Sequence, residues 1–84
     1  MKKTYITKGV CSTQIDIEVA DGRIKTVAFQ NGCQGNLKGI GALVTGMKPE
    51  EAIAKLQGIT CGNKNTSCPD QLARALSELI ALRA

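Results

Sequence analysis

The chain has 84 residues, enough for one small domain spanning 1–84 and too few for two. Its 11 Lys and Arg against 7 Asp and Glu leave a net charge of +4, scattered from Lys2 to Arg83 with no run beyond Lys2-Lys3, which describes a solvated surface rather than a phosphate-binding stripe. Tyr5 and Phe29 are the two aromatics, with no Trp and no His, so binding of single-stranded nucleic acid by base stacking and histidine-based catalysis both lack their side chains.

The opening "MKKTYITKGV" has the lysines of a secretory signal without the apolar segment that follows them in one. No stretch approaches the roughly 18 apolar residues of a membrane span. The chain reads as cytoplasmic, with no membrane partner. A first strand is expected from Tyr5 toward Val10, ended by Gly9.

A β-hairpin follows. Ile15, Ile17 and Val19 alternate with Gln14, Asp16 and Glu18, giving one apolar and one polar face. Asp21-Gly22 is a strong two-residue turn signal, and Arg23 to Gln30 is the return strand. Ile24 is out of phase with Val27 and Phe29, so a β-bulge between Ile24 and Val27 is needed to put all three on the core face.

After Asn31 the period becomes helical. A helix is expected over about Asn36 to Thr45, stopped by Gly46. Gly39 and Gly41 within it lower its helix propensity by about 1 kcal/mol each relative to Ala, which points to close approach of a sheet, a ligand or a partner. "KPEEAIAKL" starts a second helix with Pro49, Glu50 and Glu51 suited to its first turn, and Gly58 ends it. "ITCGNKNTS" is a loop. A final helix is expected from Pro69 to about Arg83, with Leu72, Leu76, Leu79 and Ile80 on one face and Leu82 off it. The order predicts an α+β fold, a three-stranded antiparallel sheet with three helices on one face. So short a chain, with Gly- and Ala-rich helices and an apolar final stripe, is expected to self-associate, most simply as a homodimer.

The chemistry is concentrated in sulfur. Cys11 precedes the hairpin, Cys33 follows it, Cys61 lies in the loop after the second helix, and Cys68 stands at the N-cap position of the third. All four are at element ends, where a cysteine serving as a small core hydrophobe is out of place. A thiol at a helix N-terminus meets the positive end of the helix dipole, which favours thiolate. Pro69 is then the first helical residue, where its missing N–H is harmless. No two cysteines have C-x2-C spacing, so a zinc knuckle is not indicated. Ligands need only converge in space, however, and a first shell of four thiolates, or three plus a carboxylate such as Asp70, suits Zn or an iron–sulfur cluster. Redox thiols, paired as Cys61 and Cys68, and purely structural thiols are the other readings.

The turn "NGCQGNLKG" allows a second kind of site. Gly32, Gly35 and Asn36 run into a helix N-terminus with Lys38 nearby, which can hold the phosphate of a nucleotide cofactor such as a flavin. No Ser-His pair, P-loop or HExxH motif is present to support hydrolysis or group transfer.

Two resemblances add to this. Thr66-Ser67-Cys68-Pro69-Asp70 is the name-giving motif of the TSCPD family, and the likeness extends over the chain through "NGCQGN" and "GITCG". That family comprises short bacterial proteins of this size and a domain at the C-terminus of some adenosylcobalamin-dependent ribonucleotide reductases. It implies cysteine-based cofactor binding and a redox enzyme as partner. The order of hairpin, Gly-Cys turn, helices and late cysteine also resembles the U-type iron–sulfur cluster assembly scaffold. That resemblance implies Cys11, Cys33 and Cys68 as ligands. The scaffold has an Asp where this chain has Thr13, a His where it has Ser67, and a proline-rich stretch that is missing here; Cys61 is an additional candidate for the fourth ligand. The expected role is a binding or electron-transfer module rather than a stand-alone enzyme.

Overall fold

A computed structural model describes residues 1–82. Strands β1 (Lys2–Ile6), β2 (Gln14–Ala20) and β3 (Arg23–Gln30) are followed by helices α1 (Gln34–Val44), α2 (Pro49–Leu56) and α3 (Cys68–Ala81). The strands form one antiparallel sheet in the order β1-β2-β3. The expected α+β plan is the observed one.

The hairpin forms as its sequence dictates. Asp21 and Gly22 both take positive φ, 54° and 75°, the backbone of a type I′ turn whose twist matches the strands it joins. Beyond the turn, Val19 pairs with Ile24 but Glu18 pairs with Thr26, so Lys25 is the extra residue of a bulge. Ile24, Val27 and Phe29 thereby stand opposite Val19, Ile17 and Ile15 on the same face.

The first strand lies earlier than expected. It covers Lys2–Ile6, not Tyr5 to Val10, and places Tyr5 opposite Ile15. The chain leaves the sheet at Thr7, whose hydroxyl donates to the Ser12 carbonyl and whose amide donates to Thr13 O at 3.2 Å. Gly9, at φ 71°, completes the turn. Residues 7–13 are thus a loop that carries Cys11, and pairing beyond Ile6 is replaced by these local bonds.

The three helices cover the apolar face. Ile15, Ile17, Val19 and Ile24 meet Val44, Ala52, Leu72, Ala75, Leu76 and Leu79 in one core. The apolar stripe of α3 is therefore consumed within the chain: Leu72 and Leu76 are fully buried and Leu79 nearly so, with Ile80 half-buried at its margin. Arg83, the expected end of that helix, lies outside the described residues. Gly41 is where α1 crosses β3; a Cβ on it would stand 2.9 Å from the Val27 carbonyl oxygen. The connection between α1 and α2 then seals part of the free edge of β3, with Ile24 N–H donating to Met47 O and Gly46 N–H to Ile24 O, both at 2.8 Å.

Candidate functional site

The first turn of α3 is the structural centre of the cysteine region. Its N-cap is Ser67, not Cys68. Ser67 Oγ accepts the Asp70 N–H at 3.1 Å and donates to the Ile59 carbonyl at 2.6 Å. Cys68 is the first helical residue and Pro69 the second. The physical reason is ordinary: a hydroxyl caps a helix better than a thiol, and Ser67 with Asp70 three residues on is a capping signature.

Asp70 is buried at 4% exposure, and both its oxygens are engaged. Oδ1 accepts the Gly58 N–H at 2.8 Å; Oδ2 accepts the Thr66 hydroxyl and pairs with Arg74 Nε at 3.1 Å. Burial works against the carboxylate, but the bonds from Thr66 and Gly58 and the Arg74 charge outweigh it and hold the carboxyl below its ordinary value. These bonds latch the segment 58–66, which carries Cys61, to α3. Asp70, the alternative carboxylate ligand, has both oxygens already engaged by Gly58, Thr66 and Arg74.

Gln71 does the corresponding work for the Cys11 loop. Fully enclosed at 2% exposure, it donates to Thr66 Oγ1 at 2.9 Å and accepts the Lys8 N–H at 3.2 Å. Cys33 is held from another side. Gly32 turns the chain at φ 87° and lies so close to Cys11 and Ser12 that a Cβ there would stand 3.0 Å from Ser12 N and 2.9 Å from Leu37 Cδ1. Only glycine fits.

The four cysteines consequently line one cavity of about 480 Å³. Leu37, Ile40 and Leu43 of α1 and Pro69 of α3 supply much of its apolar wall. Cys11, Cys33 and Cys61 are exposed, Cys68 is half-buried, and all four are free thiols. A Cβ added at Gly35 or Gly39, both lining residues, would meet nothing within 4 Å. Among the described residues, no group of three or more Cys, His, Asp or Glu is drawn close enough to hold a metal ion as it stands.

The glycine-rich turn is divided. Gly35 and Asn36 line the cysteine cavity, Lys38 lines a separate hollow of about 290 Å³ between β3 and α1, and Gly32 packs on the Cys11–Ser12 backbone. The helix begins at Gln34 with Cys33 as a cap residue that makes no side-chain bond.

Sequence reasoning missed Ser12, Gln71 and the roles of Thr66 and Ser67. Only the Ser-x-x-Asp spacing could have pointed to the cap; nothing local marks Gln71 or Ser12.

Bonds place Thr66, Ser67 and Asp70 of Thr66-Ser67-Cys68-Pro69-Asp70, the cavity wall takes Cys68 and Pro69, and a family model, TSCPD domain, matches residues 1–80. The chain belongs to the TSCPD family. Neither the curated proteins nor the solved structures yielded a match. In this TSCPD domain, Thr66, Ser67 and Asp70 build and latch the helix start, while Cys68 and Pro69 face the cavity. No helix among the described residues is long and apolar enough to cross a membrane.

Proposed function

We propose that this TSCPD domain is a cysteine-ligated cofactor-binding module, holding an iron–sulfur cluster or a zinc ion for redox work or cofactor supply. The observation that carries the reading is the gathering of Cys11, Cys33, Cys61 and Cys68 around one apolar-walled cavity. The donor set is all thiol and no imidazole, which suits soft metals and clusters. The open space beside Gly35 and Gly39 gives room for more than a single ion.

The partners follow the same reading. A redox enzyme such as a ribonucleotide reductase is the class that the family suggests, and a reducing cytoplasm is the compartment that keeps four thiols free. A homodimer fits this reading through α1: with the α3 stripe used internally, Leu43, 78% exposed at the cavity rim, is one of the exposed apolar side chains, beside Ile6, Ile59 and Leu82, that a second copy could cover.

Anaerobic purification followed by a visible spectrum and analysis for iron, sulfide and zinc tests the proposal. A brown protein with stoichiometric iron and sulfide, or a colourless one with stoichiometric zinc, is expected. A chain that holds neither, and takes up neither on reconstitution, overturns it. A yellow protein with a flavin spectrum overturns it in favour of a nucleotide cofactor at the glycine-rich turn. Thiols that only cycle to a disulfide overturn it in favour of a thiol redox protein.

A further inference from the structure

The two segments that leave the hairpin stay side by side beyond its last strand pair. Gln14 stands opposite Gln30 in the sheet. One step further out, Thr13 N–H donates to the Gln30 carbonyl at 2.9 Å, and Asn31 Nδ2 donates to Thr13 Oγ1 at 2.9 Å. The next step brings Ser12 against Gly32, where a Cβ on the glycine would stand 3.0 Å from Ser12 N and 3.3 Å from the Cys11 carbonyl carbon. The residues that follow outward on the two segments are Cys11 and Cys33.

This pair differs from the other two thiols. Cys11 and Cys33 are both exposed and free, and both line the same cavity, so their side chains lie on one side of the paired segments. Cys33 makes no capping bond at the start of α1. Cys68, by contrast, is half-buried with its sulfur 3.3 Å from Ser12 Oγ, and Cys61 sits in the loop that Asp70 latches to α3. Facing positions on antiparallel segments lie about 4.5–5.5 Å apart between α-carbons, inside the range of about 4.4–6.8 Å that a disulfide spans.

We propose that Cys11 and Cys33 form a redox-modification site whose oxidant is a low-molecular-weight disulfide such as glutathione disulfide. The thiolate of one cysteine attacks a sulfur of the small disulfide, giving a mixed disulfide and releasing one small thiol. The thiolate of the other cysteine then attacks the protein sulfur of that mixed disulfide and releases the second small thiol. Two protein thiols are oxidised to one disulfide, the small disulfide is reduced to two thiols, and the two protons pass to the released thiols. The bond ties the 7–13 loop to the start of α1 and removes two of the four thiols from the cavity wall. A transient, sensing disulfide of this kind is compatible with a reducing cytoplasm.

The test uses the full chain, freed of metal with a chelator, so that its outcome is independent of the cofactor reading. The protein is equilibrated anaerobically with mixtures of glutathione and glutathione disulfide, alkylated and weighed intact. As the mixture becomes more oxidising, the alkylated thiols are expected to fall from four to two with no glutathione retained. Trypsin places the four cysteines on separate peptides, and residues 9–23 are expected to be linked to residues 26–38. Cys11→Ser and Cys33→Ser are each expected to lose that link and to stop at a glutathione adduct, while Cys61→Ser and Cys68→Ser form it as wild type does. Four thiols persisting in the most oxidising mixture, a stable glutathione adduct on the wild-type chain, a link between chains, or a link that includes Cys61 or Cys68 would each overturn the inference and leave the cofactor reading untouched. Peptide mapping of the wild-type protein carries the test should a variant not fold.

Discussion

The Asp70 carboxylate accepts the backbone N–H of Gly58 at 2.8 Å, so the first turn of α3 holds the far end of the loop that carries Cys61. A buried acid spends its lone pairs on loop geometry, and the neighbouring thiol is left to face the cavity.

Asp70→Ala removes that latch and leaves a donor on each side without its acceptor. The expected loss of stability is about 1.5–3 kcal/mol, the range for hydrogen bonds to a charged group. Urea denaturation measures it, and faster amide exchange at Gly58 localises it to the loop. An unchanged midpoint would show that the latch contributes nothing.

The cap and the thiol separate cleanly. Ser67→Ala is expected to destabilise the domain by about 1 kcal/mol through lost capping while keeping its cofactor content. Cys68→Ser is expected to do the reverse, losing most of the bound metal, because a hydroxyl is a poor ligand for soft ions, while the metal-free variant melts near the metal-free wild type. Elemental analysis beside thermal melts checks both, and full metal content in Cys68→Ser would remove Cys68 from the ligand set.

Two glycines of one helix predict opposite signs. A methyl on Gly41 would press on the Val27 carbonyl at 2.9 Å, so Gly41→Ala is expected to destabilise by about 1–3 kcal/mol despite better helix propensity. A methyl on Gly39 meets nothing, so Gly39→Ala is expected to stabilise the metal-free protein by about 0.5–1 kcal/mol. Both are read from chemical denaturation; matching effects of the same sign would contradict this placement of α1.

Acid weakens the fold through two carboxylates. At Asp16 the Thr4 hydroxyl is the main cause of a lowered value, helped by Gln14 and Gln30 against partial burial. At Asp70 burial opposes the carboxylate but the bonds from Thr66, Gly58 and Arg74 prevail. Below the ordinary value of 3.8 the unfolded chain binds more protons than the folded one at these two sites. Their contribution is fully present above that value, declines as pH falls through the lower folded values, and is lost beneath them. The urea midpoint is expected to fall steeply below about pH 4, and less steeply in Asp16→Asn/Asp70→Asn. Identical pH profiles for the two proteins would contradict the assignment.

Much of the fold was legible because it is dictated locally. Alternation in Gln14–Ala20, the Asp21-Gly22 turn and the phase slip between Ile24 and Val27 specify a bulged hairpin, and Pro49 with its two glutamates marks a helix start. The first strand was not legible in this way. Lys2–Ile6 has a single apolar side chain turned to the core, Tyr5, and its extent was settled by pairing with β2 and by the Thr7 bonds that end it. The cysteines stood out in the sequence as residues at element ends, but spacing alone could not say whether they met. Their gathering depends on contacts between segments far apart in the chain: Ser12 to Cys68, Gln71 to Lys8, Asp70 to Gly58 and Gly32 to Cys11. Local periodicity carries no record of such pairs, because each exists only once the sheet and helices have packed.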